Sequence, residues 1–162
     1  MAVSVESFKK VLSRWATGVT IVTARAGDRV HGMTVSAFAE VSLEPPLVLV
    51  CADKSSNTHQ LIAEGGVFAV NVLSEDQSAL SERFASKKDE DRRFDGLDCP
   101  SGATGAPYIP GALASLDCSV IDTHDAGDHV IYVGRVVETR LSDRDPLVYY
   151  AGAYGSVARR DD

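Results

Sequence analysis

The strongest constraint on this chain is the way its β-type runs are punctuated. Val19–Ala24 is dense in Val, Ile and Thr and stops at Ala26-Gly27-Asp28, while Ala114–Asp122 and Val130–Thr139 flank Asp125-Ala126-Gly127-Asp128. Gly and Asp between two such runs are hairpin-turn residues, because tight turns need backbone conformations that glycine reaches without strain. Further strand-like runs fall at Val30–Ser42, at Leu47–Cys51 after Pro45-Pro46, at Val67–Leu73 and at Leu147–Tyr150. About seven strands with hairpin signals, and only two or three short helices, predict a mainly β chain built as an antiparallel sheet or barrel. A βαβ sheet would need long helical crossovers between its strands.

The helices read as follows. Val5, Phe8, Leu12, Trp15 and Ala16 recur at helical spacing, with Ser4 as N-cap and Gly18 as the stop. Asp53-Lys54-Ser55-Ser56-Asn57-Thr58 is a cluster of capping residues before a short helix, His59–Glu64, halted by Gly65-Gly66. Ser74-Glu75-Asp76 opens a third helix with Gln77, Leu80 and Phe84 on one face. Residues 86–112 begin with the charge run Lys87–Arg93, become rich in Gly, Pro and Ser, and read as a long surface loop. There is no internal repeat. At 162 residues the whole chain, 1–162, is expected to form one domain, large enough to bury a core without disulfides or a structural metal.

Charge narrows the function. Lys plus Arg number 16 against 23 Asp plus Glu, a net charge of -7. An acidic chain with no basic stripe is a poor nucleic-acid binder, so a phosphate ligand must be held locally. No apolar run reaches the roughly 18 residues that a membrane helix needs, and residues 1–10 lack the apolar region of a secretory signal. Cys51, Cys99 and Cys118 are odd in number and far apart, which suits a reducing cytoplasm better than a disulfide frame or a zinc ribbon.

GxGxxG after a strand, GxxxxGK[ST], HExxH and GxSxG are all absent, so the chemistries they serve have no support. Lys54–Thr58 lies between a strand and a helix, where unpaired N–H groups and the helix dipole favour an anion; alternatively, Ser55 or Asn57 simply caps the helix. Gly32–Phe38 alternates small polar with apolar residues, so that Thr34 and Ser36 share one face. These hydroxyls suit a planar heteroaromatic ring, or else face solvent on an edge strand. Asn71, an amide inside the apolar run Phe68–Leu73, must find partners in backbone or ligand. Arg83 at the end of the third helix is a dipole partner or a surface ion-pair residue. In His124-Asp125-Ala126-Gly127-Asp128-His129 the spacing matches no metal pattern, and a single functional His beside Asp128 or plain turn chemistry are the remaining readings.

Taken in order, these stretches resemble the short-chain flavin reductases, the reductase partners of two-component flavin-dependent monooxygenases. The resemblance runs through Trp15–Thr23, His31–Phe38, Ser42–Val50, Ser55–Thr58, Phe68–Leu73, Ala126–His129 and Asp145–Tyr150, nearly the whole chain from Phe8 to Gly155. It implies an FMN-binding split barrel, a Greek-key antiparallel barrel with capping helices that works as a homodimer. The implied reaction is hydride transfer from NADH or NADPH to FMN or FAD, with reduced flavin passed to a partner monooxygenase. On this resemblance Ser55, Ser56, Asn57 and Thr58 hold the flavin phosphate, with Arg83. Thr34, Val35, Ser36 and Asn71 line the isoalloxazine, with Met33, Val72 and Phe84 as further flavin contacts. Cys51 lies near the ring or ribityl chain, and His129 places the nicotinamide. The chain shows no strong 2′-phosphate site, which leans toward NADH. Two other functions are compatible with the same scaffold: a flavin-bound reductase of another small substrate such as a corrinoid, and a non-enzymatic flavin-binding or redox module.

Overall fold

The computed structural model describes residues 2–159. The chain forms α1 (Val5–Leu12), then β1 (Thr17–Gly18), β2 (Thr20–Ala26), β3 (Arg29–Val35), β4 (Phe38–Ser42) and β5 (Leu47–Asp53). After these come α2 (Asn57–Gly65), β6 (Val67–Val72), α3 (Ser78–Ala85), β7 (Ala114–Ala126), β8 (His129–Leu141), β9 (Val148–Tyr150) and β10 (Ala153–Gly155). Both Ala-Gly-Asp turns close hairpins: Ala26 pairs with Arg29 and Ala126 with His129. Gly27 at φ 58° and Gly127 at φ 64° take the left-handed conformation that these turns require.

Seven strands form one antiparallel sheet in the order β3-β2-β6-β7-β8-β5-β4. The two edge strands, β3 and β4, are consecutive in the chain and separated only by Ser36-Ala37. The sheet therefore curls until its edges meet, and the product is a split barrel open along the β3–β4 seam. A small sheet, β1-β9-β10, stands apart from it. Inward positions alternate along the strands as a half-buried pleat requires. Val22, Ala24, Val48, Val50, Ala52, Phe68 and Val70 fill the barrel, and Leu61 and Ile62 of α2 pack against them. A second cluster, Val19, Ile21, Leu73, Phe84, Ile109 and Leu147, lies beneath α3. Each such fully buried side chain contributes roughly 1.5–3 kcal/mol.

Four expectations need correction. The run Val30–Ser42 is not one strand. It breaks at Ser36-Ala37, where the Phe38 N–H turns back to Ser36 O at 3.0 Å and Ala37 O takes the Cys51 N–H at 3.1 Å. The first helix is capped by Ser4, whose hydroxyl accepts from Ser7 N–H at 3.1 Å, but it ends at Leu12. Trp15 and Ala16 lie beyond it and Gly18 belongs to β1. Among the described residues nothing buries its apolar stripe, as no residue of α1 is buried, so tertiary burial does not extend it. The second helix starts earlier than expected, and its N-cap is Ser56 rather than Ser55 or Asn57; the Ser56 hydroxyl accepts from His59 N–H at 3.0 Å.

Finally, residues 86–112 form the irregular loop expected, but it does not stay on the surface. Arg93, Ala106, Tyr108 and Ile109 are buried. Thr23 Oγ1 donates to Pro107 O at 2.5 Å, and Asp117 accepts from both the N–H and the hydroxyl of Thr104 at 2.6 Å. Local turn bonds and side chains, rather than a ladder, satisfy its backbone.

Candidate functional site: a groove along the barrel seam

β5 carries Leu49, Cys51 and Asp53 on its outer face, because Val48, Val50 and Ala52 face the core. The antiparallel register places His129 beside Asp53 and Ile131 beside Cys51 on the same face. Two clefts open along this face. The polar one, of about 570 Å³, is lined by Met33, Thr34, Asp53, Ser55, Ser56, Asn57, Phe84, Ala85, Lys87, Glu90 and Arg93. The apolar one, of about 550 Å³, is lined by the end of α1 with Trp15, by Ser36–Ala39, by Leu49 and Cys51, and by Tyr149. Asp53 borders the first and Cys51 the second, so the clefts follow one another along β5.

The α2 N-terminus gives the polar cleft its character. The first N–H groups of a helix have no intrahelical acceptor, and here they stand next to two cations, Lys87 and Arg93. Asp53 braces the approach to the helix, accepting from the Ser55 N–H and hydroxyl, both at 2.7 Å. Those two bonds hold the Asp53 carboxyl below its usual range. Arg93 is 4% exposed and donates to Gly32 O at 2.8 Å and to Ser86 O. His31 lies beneath the cleft, its Nδ1 2.7 Å from Thr58 Oγ1. Burial, then the neighbouring Arg93 charge, push its imidazole below the ordinary value, against a raising effect of Glu90. Arg93 Nε and His31 Nε2 are both buried without a hydrogen-bond partner.

Of the residues singled out in the sequence, Met33, Thr34, Ser55, Ser56, Asn57 and Phe84 meet in the polar cleft. Ser36 and Cys51 meet in the apolar one, where burial pushes the Cys51 thiol up and keeps it protonated. His129 is accessible, with Nδ1 2.7 Å from Asp128 Oδ1. Its turn is fastened to the cleft by Lys54, whose N–H donates to Asp128 O at 3.0 Å and whose ammonium donates to Gly127 O at 2.7 Å and pairs with Asp125. Lys54 is thereby spent, and Lys87 and Arg93 supply the cleft's positive charge.

The remaining residues lie elsewhere. Val35 is turned into the barrel core and Thr58 is fully buried against His31. Asn71 is wholly buried: its amide donates to Ile21 O and Thr23 Oγ1 and accepts from Ile109 N–H and the Ser115 hydroxyl. That exhausts an asparagine's capacity, so Asn71 is a structural clasp with nothing left for a ring. Val72 lies between β2 and β7 and borders neither cleft. Arg83 reaches the carbonyls of Arg92 and Asp95 at 2.6 and 2.7 Å and tethers the 86–95 segment.

The sequence reading missed Asp53, Lys87, Glu90 and Arg93, and on the apolar side Trp15 and Tyr149. The Lys87–Arg93 run was visible only as a run. The available clue was Phe94, an aromatic residue that returns the segment to the core against Phe84, with ring centroids 5.2 Å apart.

A flavin mononucleotide needs an anion site, a few hydroxyls and amides, and a flat apolar bed. The two adjoining clefts and the two unpartnered buried nitrogens fit that requirement. The family model described as the flavin reductase like domain matches residues 12–158. An FMN reductase (NADH), SmoA, from Agrobacterium fabrum is 46% identical over 95% of this chain and 87% of its own length. The flavin-dependent monooxygenase reductase subunit HsaB of Rhodococcus jostii is 40% identical over 96% and 80%. Among solved structures, the NADH:FAD oxidoreductase SgcE6 of Streptomyces globisporus C-1027 superposes with a TM-score of 0.90 at 34% identity, over 98% of both chains. Likeness over this much of the sequence, on the same split barrel, makes the chain a member of the flavin reductase like domain family.

Proposed function

We propose that this protein, as a single domain, is an NAD(P)H:flavin oxidoreductase that passes reduced FMN or FAD to a separate monooxygenase. The observation that carries this reading is the placement of the polar cleft, the apolar cleft and His129 on one continuous face of β5 and β8. The named relatives support it: SmoA is an FMN reductase using NADH, and HsaB is the reductase subunit of a flavin-dependent monooxygenase.

Bound flavin supplies the hydride acceptor, and the chain's own task is positioning. Ser55, Ser56, Asn57, Lys87 and Arg93 hold the phosphate, each charge-assisted bond worth about 1.5–3 kcal/mol. Ser36, Cys51 and Trp15 bed the ring, while Met33, Thr34 and Phe84 line the passage between the two ends. Asp128 holds His129 through Nδ1 and leaves Nε2 for the pyridine nucleotide. The three free thiols suit a reducing compartment, and we place the protein in the cytoplasm.

We further infer a homodimer. Val5, Phe8, Val11 and Leu12 of α1 are all exposed, as is Trp15, and an apolar stripe of that extent is a contact surface. A second copy of the chain is the occupant that the resemblance names.

The test is NADH and NADPH oxidation with FMN, FAD, riboflavin or no flavin, on the parent and on His129→Ala. We expect flavin-dependent turnover in the parent, and in His129→Ala a loss of roughly a hundredfold with flavin affinity within about threefold. Flavin binding without nucleotide oxidation in the parent would overturn the reading.

A further inference from the structure

Glu90 holds an unusual place in the polar cleft. Its Oε2 accepts from Asn57 Nδ2 at 3.0 Å and lies 3.6 Å from His31 Nε2, while its Oε1 lies 3.6 Å from Arg93 Nη2. These are the groups that an incoming phosphate would use: an amide at the α2 N-terminus, the guanidinium, and the imidazole edge below. The second carboxylate of the cleft, Asp53, is bonded instead to Ser55. With Asp53 and Glu90 set against Lys87 and Arg93, the cleft has no net surplus of positive charge.

We propose that Glu90 is the specificity-determining residue that grades flavins by the charge of their phosphate. This rests on the flavin reading above and goes beyond it. Glu90 already occupies the cationic corner, so an arriving phosphate meets a fixed negative charge at close range. The repulsion rises with the ligand's charge. The FMN monoester carries close to two charges. The FAD diester places one charge at that position and its second further away, and riboflavin carries none. Glu90 therefore penalises FMN most, FAD less and riboflavin not at all.

The carboxylate's removal leaves the scaffold intact. Gln at this position still accepts from Asn57, and Arg93 remains anchored on Gly32 O and Ser86 O. Dissociation constants for FMN, FAD and riboflavin, measured by flavin-fluorescence titration of the purified protein without nicotinamide nucleotide, test the proposal. In Glu90→Gln we expect FMN to tighten roughly tenfold and FAD roughly threefold, with riboflavin unchanged. Glu90→Asp, which keeps the charge, should preserve the parental order. Asp143→Asn makes the same change in net charge beyond the far end of β8 from His129, and should alter none of the three.

Equal changes for all three flavins would reduce Glu90 to a structural hub. Weaker FMN binding in Glu90→Gln would mean that the carboxylate organises the phosphate donors rather than opposing the phosphate. Equal tightening in Asp143→Asn would assign the effect to the global field. Each of these overturns the proposal. A parent protein that binds no flavin at all would instead overturn the reading on which it stands.

Discussion

Asn71 shows how one side chain decides where an irregular segment goes. Its oxygen is the acceptor for Ile109 N–H at 3.0 Å and for the Ser115 hydroxyl at 2.9 Å, both buried. Replacing it by Leu leaves these donors unpaired in a dry site, and buried donors without acceptors are costly. We expect Asn71→Leu to lose roughly 2–4 kcal/mol in chemical denaturation, while the protein that remains folded binds flavin as the parent does. The sequence showed that an amide in an apolar strand needs partners, but the partners lie 38 and 44 residues away and local pattern cannot name them. The same applies at Arg93, whose carbonyl partner Gly32 is 61 residues distant. By contrast, Ser4, Gly27 and Gly127 act on their nearest neighbours, and their turn and capping roles were legible.

At the scale of elements, the strands were legible wherever burial imposes a period of two, as on β5. The β3–β4 break was not, because Ser36-Ala37 continues the alternation while the backbone leaves it to form the seam. The apolar stripe of α1 is a different case: such spacing ordinarily marks a core-facing helix, yet among the described residues nothing buries it. Packing inside the barrel is close at Gly134 on β8. A Cβ there would stand 2.5 Å from Phe68 Cζ and 2.9 Å from Cys118 Cβ, in the middle of the barrel. Gly134→Ala should therefore cost about 1–3 kcal/mol by overpacking, read as a lower denaturation midpoint. Since β8 also carries His129, a loss of nucleotide oxidation larger than the stability loss explains would indicate that the strand has shifted in register with the site.

For the whole molecule, the exposed face of α1 is the feature that a lone chain leaves unexplained. Charging it in Phe8→Glu with Val11→Glu should convert a dimer to a monomer in sedimentation velocity without unfolding it, since neither side chain is buried within the chain. The apolar cleft uses Leu12 and Trp15 from the same segment, so the monomer should also bind flavin more weakly. A parent protein that sediments as a monomer at micromolar concentration would remove the dimer reading.

The β5–β8 pairing also has a consequence in time. The groove exists only once β5 has paired with β8, Leu47 with Arg135 through Asp53 with His129, joining chain segments from opposite halves of the sequence. Such closure is entropically expensive and tends to come late, after the local hairpins have formed. A ligand that grips the groove then stabilises contacts absent from the folding transition state. Saturating FMN should accordingly slow unfolding in stopped-flow denaturant jumps and leave the refolding rate unchanged; faster refolding with FMN would mean that the β5–β8 pairing forms first and the rest of the barrel fills in around it.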